Sequence, residues 1–118
     1  MNNLEPPRTV ARLLLVMQHS GARIEGLSRQ YAPVAGYTHD DASDVVAVAA
    51  GIASAHLGAT VTLTAGNEAL RVLLCHALGV PPSASFIVAP NTISVVEVDL
   101  DGRWAVVRVN EGNPLPGD

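Results

Sequence analysis

Lysine is absent from this sequence, and its seven arginines face eleven aspartates and glutamates, for a formal net charge of -4. Neutralising phosphates needs a basic face, so nucleic acid is not an expected partner. Cysteine occurs once, at Cys75, which rules out an intrachain disulfide and leaves no second thiol to share a zinc ion. A lone thiol fits a reducing cytoplasm, the expected compartment. No apolar run approaches the roughly 20 residues that cross a bilayer. A signal peptide is not expected either: Met1–Pro7 lacks a basic start, and Gln18–His19–Ser20 is a poor cleavage site after the apolar run Val10–Met17. The chain is therefore expected to be soluble, without membrane contact. Internal repeats are absent as well.

What is present is a globular composition: 118 residues, 48% hydrophobic and 15% charged. That is too apolar for a disordered chain and long enough to bury a core without metals or disulfides. A single domain over residues 1–118 is expected, with tails at 1–7 and 112–118 where prolines cluster.

Alternating elements fill the interior. Val10–Val16 is an apolar run of strand length, broken only by Arg12, as for a strand covered on both faces. Met17–His39, broken by Gly21, Gly26, Pro33 and Gly36, is expected to be mostly loop with one helical turn near Leu27–Tyr31. Asp40, Asp41 and Ser43 are N-cap candidates for a helix over Asp44–Leu57, with Val45, Val48, Ala49 and Ile52 on one face and Gly58 as its C′ residue. Ala59–Ala65 follows as a β-branched strand. A helix over Asn67–Leu78 turns Leu70, Leu73, Leu74 and Ala77 to the core, and Gly79 with Pro81–Pro82 ends it. Thr92–Leu100 and Arg103–Asn110 form a hairpin through Asp101–Gly102. Such an order predicts an α/β fold of three layers (α/β/α) around a small mixed sheet. Sites in such sheets lie beyond the carboxyl ends of the parallel strands, here Met17–Gly21 and Ala65–Glu68.

From His39 to Asn110 the chain resembles the carboxyl-terminal half of the histidine phosphatase, or phosphoglycerate mutase-like, superfamily. The resemblance runs through Asp40–Asp44, Ala55–Val61 and Val61–Ala65, is tightest over Glu68–Pro81, and continues through Asn91–Val98 and Gly102–Trp104. Arg12–Val16 is similar to the family's opening strand, which leads into an Arg-His-Gly signature. Alternatively, Val16–Leu27 resembles the loop carrying the family's acid-bearing segment. The chain is short for the family, so under either alignment a middle portion is expected to be missing. The fold implied is a trimmed histidine phosphatase core.

Family chemistry, as the resemblance implies it, uses a phosphorylated histidine, a second histidine and two arginines to hold the phosphoryl group, and a carboxylate as general acid. The second histidine falls on Gly66, which has no side chain to donate. Ungapped, Arg-His-Gly falls on Met17–Gln18–His19; shifted by one residue, His19 takes the nucleophile position and Gln18 the arginine's. Neither register supplies the arginine. In the alternative alignment, Gln18 stands where the general acid belongs.

The candidates carried forward are His19 as nucleophile, and Arg23, Arg29, Gly66 and Asn67 as phosphate-binding positions, the last two through backbone N–H groups at a helix start. The remaining chemistry-bearing residues have structural readings: His39 at a helix entry, His56 at a helix C-terminus, and His76 and Cys75 in packing. Asp40, Asp41 and Asp44 read as caps; no metal and no cofactor is expected. No Gly-x-Ser-x-Gly elbow and no dinucleotide fingerprint occurs.

Two functions are expected from this reading. One is a degenerate, catalytically inactive domain acting as an interaction or regulatory module. The alternative is a weak phosphomonoesterase using His19 on a phosphorylated small molecule; whether the chain is an enzyme stays open between them. Only two long helices are expected for a sheet that needs cover on both faces, so association with a second copy or another protein is expected too.

Overall fold

The computed structural model describes residues 6–18, 22–81 and 88–112, with the side chains of Ala22 and Arg23 outside that description. Its elements run β1 (Val10–Met17), α1 (Ala22–Gln30), β2 (Ala35–Thr38), α2 (Val45–Ala55), β3 (Thr60–Ala65), α3 (Asn67–Leu78), β4 (Ile93–Asp99) and β5 (Trp104–Glu111). The strands form one sheet in the order β2-β3-β1-β4-β5. Pairing is parallel between β1 and β3 and between β2 and β3, and antiparallel between β1 and β4 and between β4 and β5. This is the expected mixed sheet of an α/β fold.

Strand β1 is central because its sequence permits burial on both faces. Leu13 and Leu15 enter the larger core with Val61, Leu63, Val96 and Val98, against α2 and α3. Leu14 and Val16 point the other way, joining Ile93 and Val95 under Ile24 of α1. Helices on both faces make the third layer.

Helix α3 occupies the residues its periodicity predicts, with Leu70, Leu73 and Leu74 buried. Gly79 ends it in the left-handed conformation at φ 75°, which glycine adopts without a Cβ clash, and its N–H reaches the carbonyls of Cys75 and His76. Helix α2 is shorter than expected. Asp44 is its N-cap residue but makes no side-chain cap bond, and the C-cap falls on His56, so Gly58 lies one residue beyond C′. Asp40, Asp41 and Ser43 do not cap the helix; Asp41 instead accepts hydrogen bonds from the Ser43 N–H and hydroxyl.

Between Met17 and His39 the expected loop is corrected to a nine-residue helix and a four-residue strand. Ile24, Leu27 and Tyr31 recur at helical spacing and pack on the second cluster, which outweighs the cost of Gly26 in the helix. Strand β2 is a short edge held by β3, with only Ala35 half-buried. The helices therefore number three among the described residues, not two. Beside α1, that face of the sheet carries Gly36 and Thr38, which are exposed, and Thr62 and Thr64, which are half-buried; all are small or polar.

Two contacts fix α1 to the far edge of the sheet. The Tyr31 hydroxyl donates to Glu111, which Arg108 also reaches at 3.1 Å. Gly112 passes so close that a Cβ there would lie 2.6 Å from Leu27 Cδ2. No helix among the described residues is long and apolar enough to cross a membrane.

Leu73 is fully buried, so Leu73→Ala should lower the free energy of unfolding by about 2–5 kcal/mol, read from urea titrations. Burial, then the bond to Glu111, raises the Tyr31 pKa above its ordinary 10.0. The folded state thus holds that proton more tightly than the unfolded chain does. Its contribution is intact below pH 10.0 and is lost as pH rises through the folded value. Thermal melts across that range should show a steeper alkaline loss for the wild type than for Tyr31→Phe.

Candidate functional site

Strands β1 and β3 end side by side, with Met17 opposite Ala65. The next residue of each, Gln18 and Gly66, therefore leaves the sheet at the same place. Strand β2 ends there as well: Thr38 lies opposite Thr64, and the His39 N–H bonds the Thr64 carbonyl at 3.0 Å. Asp40 is thereby delivered to the head of α3.

Asp40 is the convergence point of this end. Gln18 Nε2 lies 2.7 Å from each of its carboxylate oxygens, and the Gly66 N–H donates to Oδ1 at 3.1 Å. The head of a helix holds unpaired N–H groups and partial positive charge, so a carboxylate is stable there. It also occupies a donor that an incoming anion would use.

The surrounding charge has the same sign. Asp44 Oδ1 lies 2.7 Å from His39 Nε2. Asp41 keeps its charge to lower pH than usual because the Ser43 hydroxyl, then its N–H, donates to it. Glu68, in the first turn of α3, is likewise held below the usual carboxylate range by its hydrogen bond from Arg71. Arg71 is thus committed to Glu68.

Gly66 adopts φ -75° and ψ 169°, extended backbone open to any residue, and a Cβ there would lie 3.9 Å from Asp40 Oδ1. Neither conformation nor space demands glycine at the position where the resemblance expects histidine.

A cleft of about 370 Å³ opens on the α1 side of the same end, lined by Val16, Met17, Ile24, Glu25, Ser28, Arg29, Thr62 and Thr64. Arg29 is exposed and has no ion-pair partner among the described residues. Among the described side chains, it is the sequence-predicted phosphate-binding arginine that lines this cleft. Arg23 lies in the first turn of α1 with its side chain outside the description, and His19 lies outside the described residues. Gly66 contributes its N–H, but to Asp40; Asn67 opens α3 and is exposed. The structure thus brings Gly66 and Gln18 together, sets Arg29 in the adjoining cleft, and adds Asp40, which sequence reasoning assigned to capping. The sequence signal for Asp40 is its place just after a parallel strand, but the four residues of β2 carry no local pattern that declares one.

Tyr37, His56, His76 and Cys75 have structural settings away from this end. The Tyr37 hydroxyl lies 2.5 Å from His56 Nε2. His76 meets Trp104 edge-on at 5.0 Å, and Cys75 is buried. Among the described residues, no three His, Cys, Asp or Glu side chains converge to hold a metal ion.

Comparison with known proteins follows the same lines. A phosphoglycerate mutase from Plasmodium falciparum shares the fold, with a TM-score of 0.60 at 14% identity, over 93% of this chain and 96% of that one. No curated protein sequence matches. The sequence pattern of the histidine phosphatase superfamily (branch 1) matches residues 18–112, from Gln18 through the whole of β5. That span contains Gln18, Asp40 and Gly66, the head of α3 and the hairpin, so the chain belongs to the histidine phosphatase superfamily.

Proposed function

We propose that this chain is a catalytically silent histidine phosphatase-like domain that serves as an interaction or regulatory module. The observation that carries this is the Asp40 carboxylate between Gln18 and the Gly66 N–H. Phosphoryl transfer is accelerated by positive groups and N–H donors aimed at a spreading negative charge. Here the N–H at the head of α3 faces an internal anion, with Glu68 and Asp44 nearby in sequence and Arg71 bound to Glu68. Gly66 offers no imidazole, and Gln18 offers an amide where a guanidinium belongs. A phosphate monoester approaching this end meets like charge. The single buried thiol suits a cytoplasmic setting for such a module.

One observation favours a second reading. Arg29 borders the cleft beside Met17, so a weak phosphomonoesterase would use His19 as nucleophile, with Arg29 and Arg23 holding the phosphate of a small molecule. The carboxylate at the head of α3 would then be displaced as substrate binds.

Assays with an aryl phosphate from about pH 4 to 8 separate the two. The silent domain should show no turnover above a His19→Ala control; turnover abolished by His19→Ala establishes the phosphomonoesterase. Millimolar orthophosphate should likewise leave the amide NMR signals of Gly66, Asn67 and the Gln18 side chain unmoved. Saturable shifts at all three would show that phosphate competes with Asp40.

A further inference from the structure

The cleft beside α1 holds groups that phosphoryl chemistry does not need. Glu25 and Arg29 stand four residues apart on α1, a spacing at which a glutamate and a following arginine ordinarily pair. Here they do not. Both are exposed, both line the cleft, and neither makes an ion pair or side-chain hydrogen bond with the described residues. The Arg29 guanidinium lies beside Gly26 instead, with Nη2 3.9 Å from where a Cβ on that glycine would stand. A carboxylate and a guanidinium therefore flank the opening without neutralising one another.

Deeper in, the cleft changes character. Its apolar part comes from Val16 and Ile24, both buried, and Met17, which is half-buried. Thr62 and Thr64 form the sheet wall and Ser28 the helix wall, all half-buried. Their hydroxyls make no hydrogen bond with the described residues. Among those residues no buried polar side-chain atom lacks a partner, so the three hydroxyls are accessible to a ligand. The volume, about 370 Å³, lies near the lower end of the range of small-molecule pockets, roughly 300–1,000 Å³.

These groups select among small ligands. A phosphate dianion gains Arg29 but meets the Glu25 carboxylate at the same opening. A purely apolar molecule would cover three hydroxyls and answer none of them. A zwitterion answers both charges: its carboxylate accepts from the Arg29 fork, its ammonium donates to Glu25, and an apolar substituent lies against Val16, Met17 and Ile24.

We propose that the cleft between α1 and the β1–β3 face binds a free α-amino acid with an apolar side chain. This gives the regulatory module its ligand class, and rests on that reading only for the purpose of binding; the binding itself uses no catalytic residue.

Titration of the full chain with L-leucine, followed by amide NMR and calorimetry, tests it. Saturable shifts should appear at Ser28, Arg29, Thr62 and Thr64 and leave Asn67 unmoved. Isocaproate, which lacks the ammonium, and isoamylamine, which lacks the carboxylate, should each bind roughly tenfold more weakly. Glu25→Gln and Arg29→Gln should each weaken leucine by a similar factor with an unchanged circular dichroism spectrum. Glu25→Gln should not weaken isocaproate, and Arg29→Gln should not weaken isoamylamine, a crossed pattern that general damage to the cleft cannot produce. Absence of saturable shifts overturns the proposal. So does isocaproate binding as tightly as leucine, which would make the cleft a carboxylate site, and so do shifts with orthophosphate in place of leucine. Turnover of an aryl phosphate is read separately: turnover beside leucine binding removes only the silent reading, and neither turnover nor binding removes only this proposal.

Discussion

Everything in this domain hangs on the double pairing of β1, parallel to β3 on one side and antiparallel to β4 on the other. A strand paired on both edges and buried on both faces cannot shift register, since a one-residue slip would exchange Leu13 and Leu15 with Leu14 and Arg12. Arg12 is itself held in place across the sheet by Glu97 at 3.1 Å. That register sets Met17 level with Ala65, and so brings Gln18 and Gly66 to one point. The chemistry of the carboxyl end follows from the pairing of the centre.

At that point the fold and its electrostatics part company. Three parallel strands deliver their ends together, and α3 offers its head beside them, which is the geometry that elsewhere receives an anion. This chain fills the position with its own carboxylate. Because Gly66 is in ordinary extended backbone with room for a Cβ, the missing imidazole is a matter of residue identity and not of a scaffold that forbids it. Superfamily membership thus settles the architecture while leaving activity to be decided at a few side chains.

Long periodic elements were legible in the sequence, and short tertiary ones were not. Asn67–Leu78 declares itself by leucines at helical spacing, a closing glycine and two prolines; β1 declares itself by five consecutive apolar residues. Strand β2 has four residues, one of them glycine, and exists because β3 pairs with it, so no local pattern announces it. Helix α1 was hidden by Gly26 and a sparse apolar face that only the second core cluster completes. Missing β2 also cost the assignment of Asp40: without a strand before it, a run of acids ahead of a helix reads as a cap. The loss of the second histidine at Gly66 could be seen by counting back from Arg71, whereas the carboxylate that takes its place required the chain to be folded.

The central claim is that the carboxyl end of the sheet is closed to phosphoryl chemistry by its own negative charge. Intact-mass spectrometry of the protein after incubation with acetyl phosphate, quenched in alkali to preserve phosphohistidine, tests this most directly. The account predicts the unmodified mass alone. A phosphoryl adduct that is present in the wild type and absent from His19→Ala would contradict it.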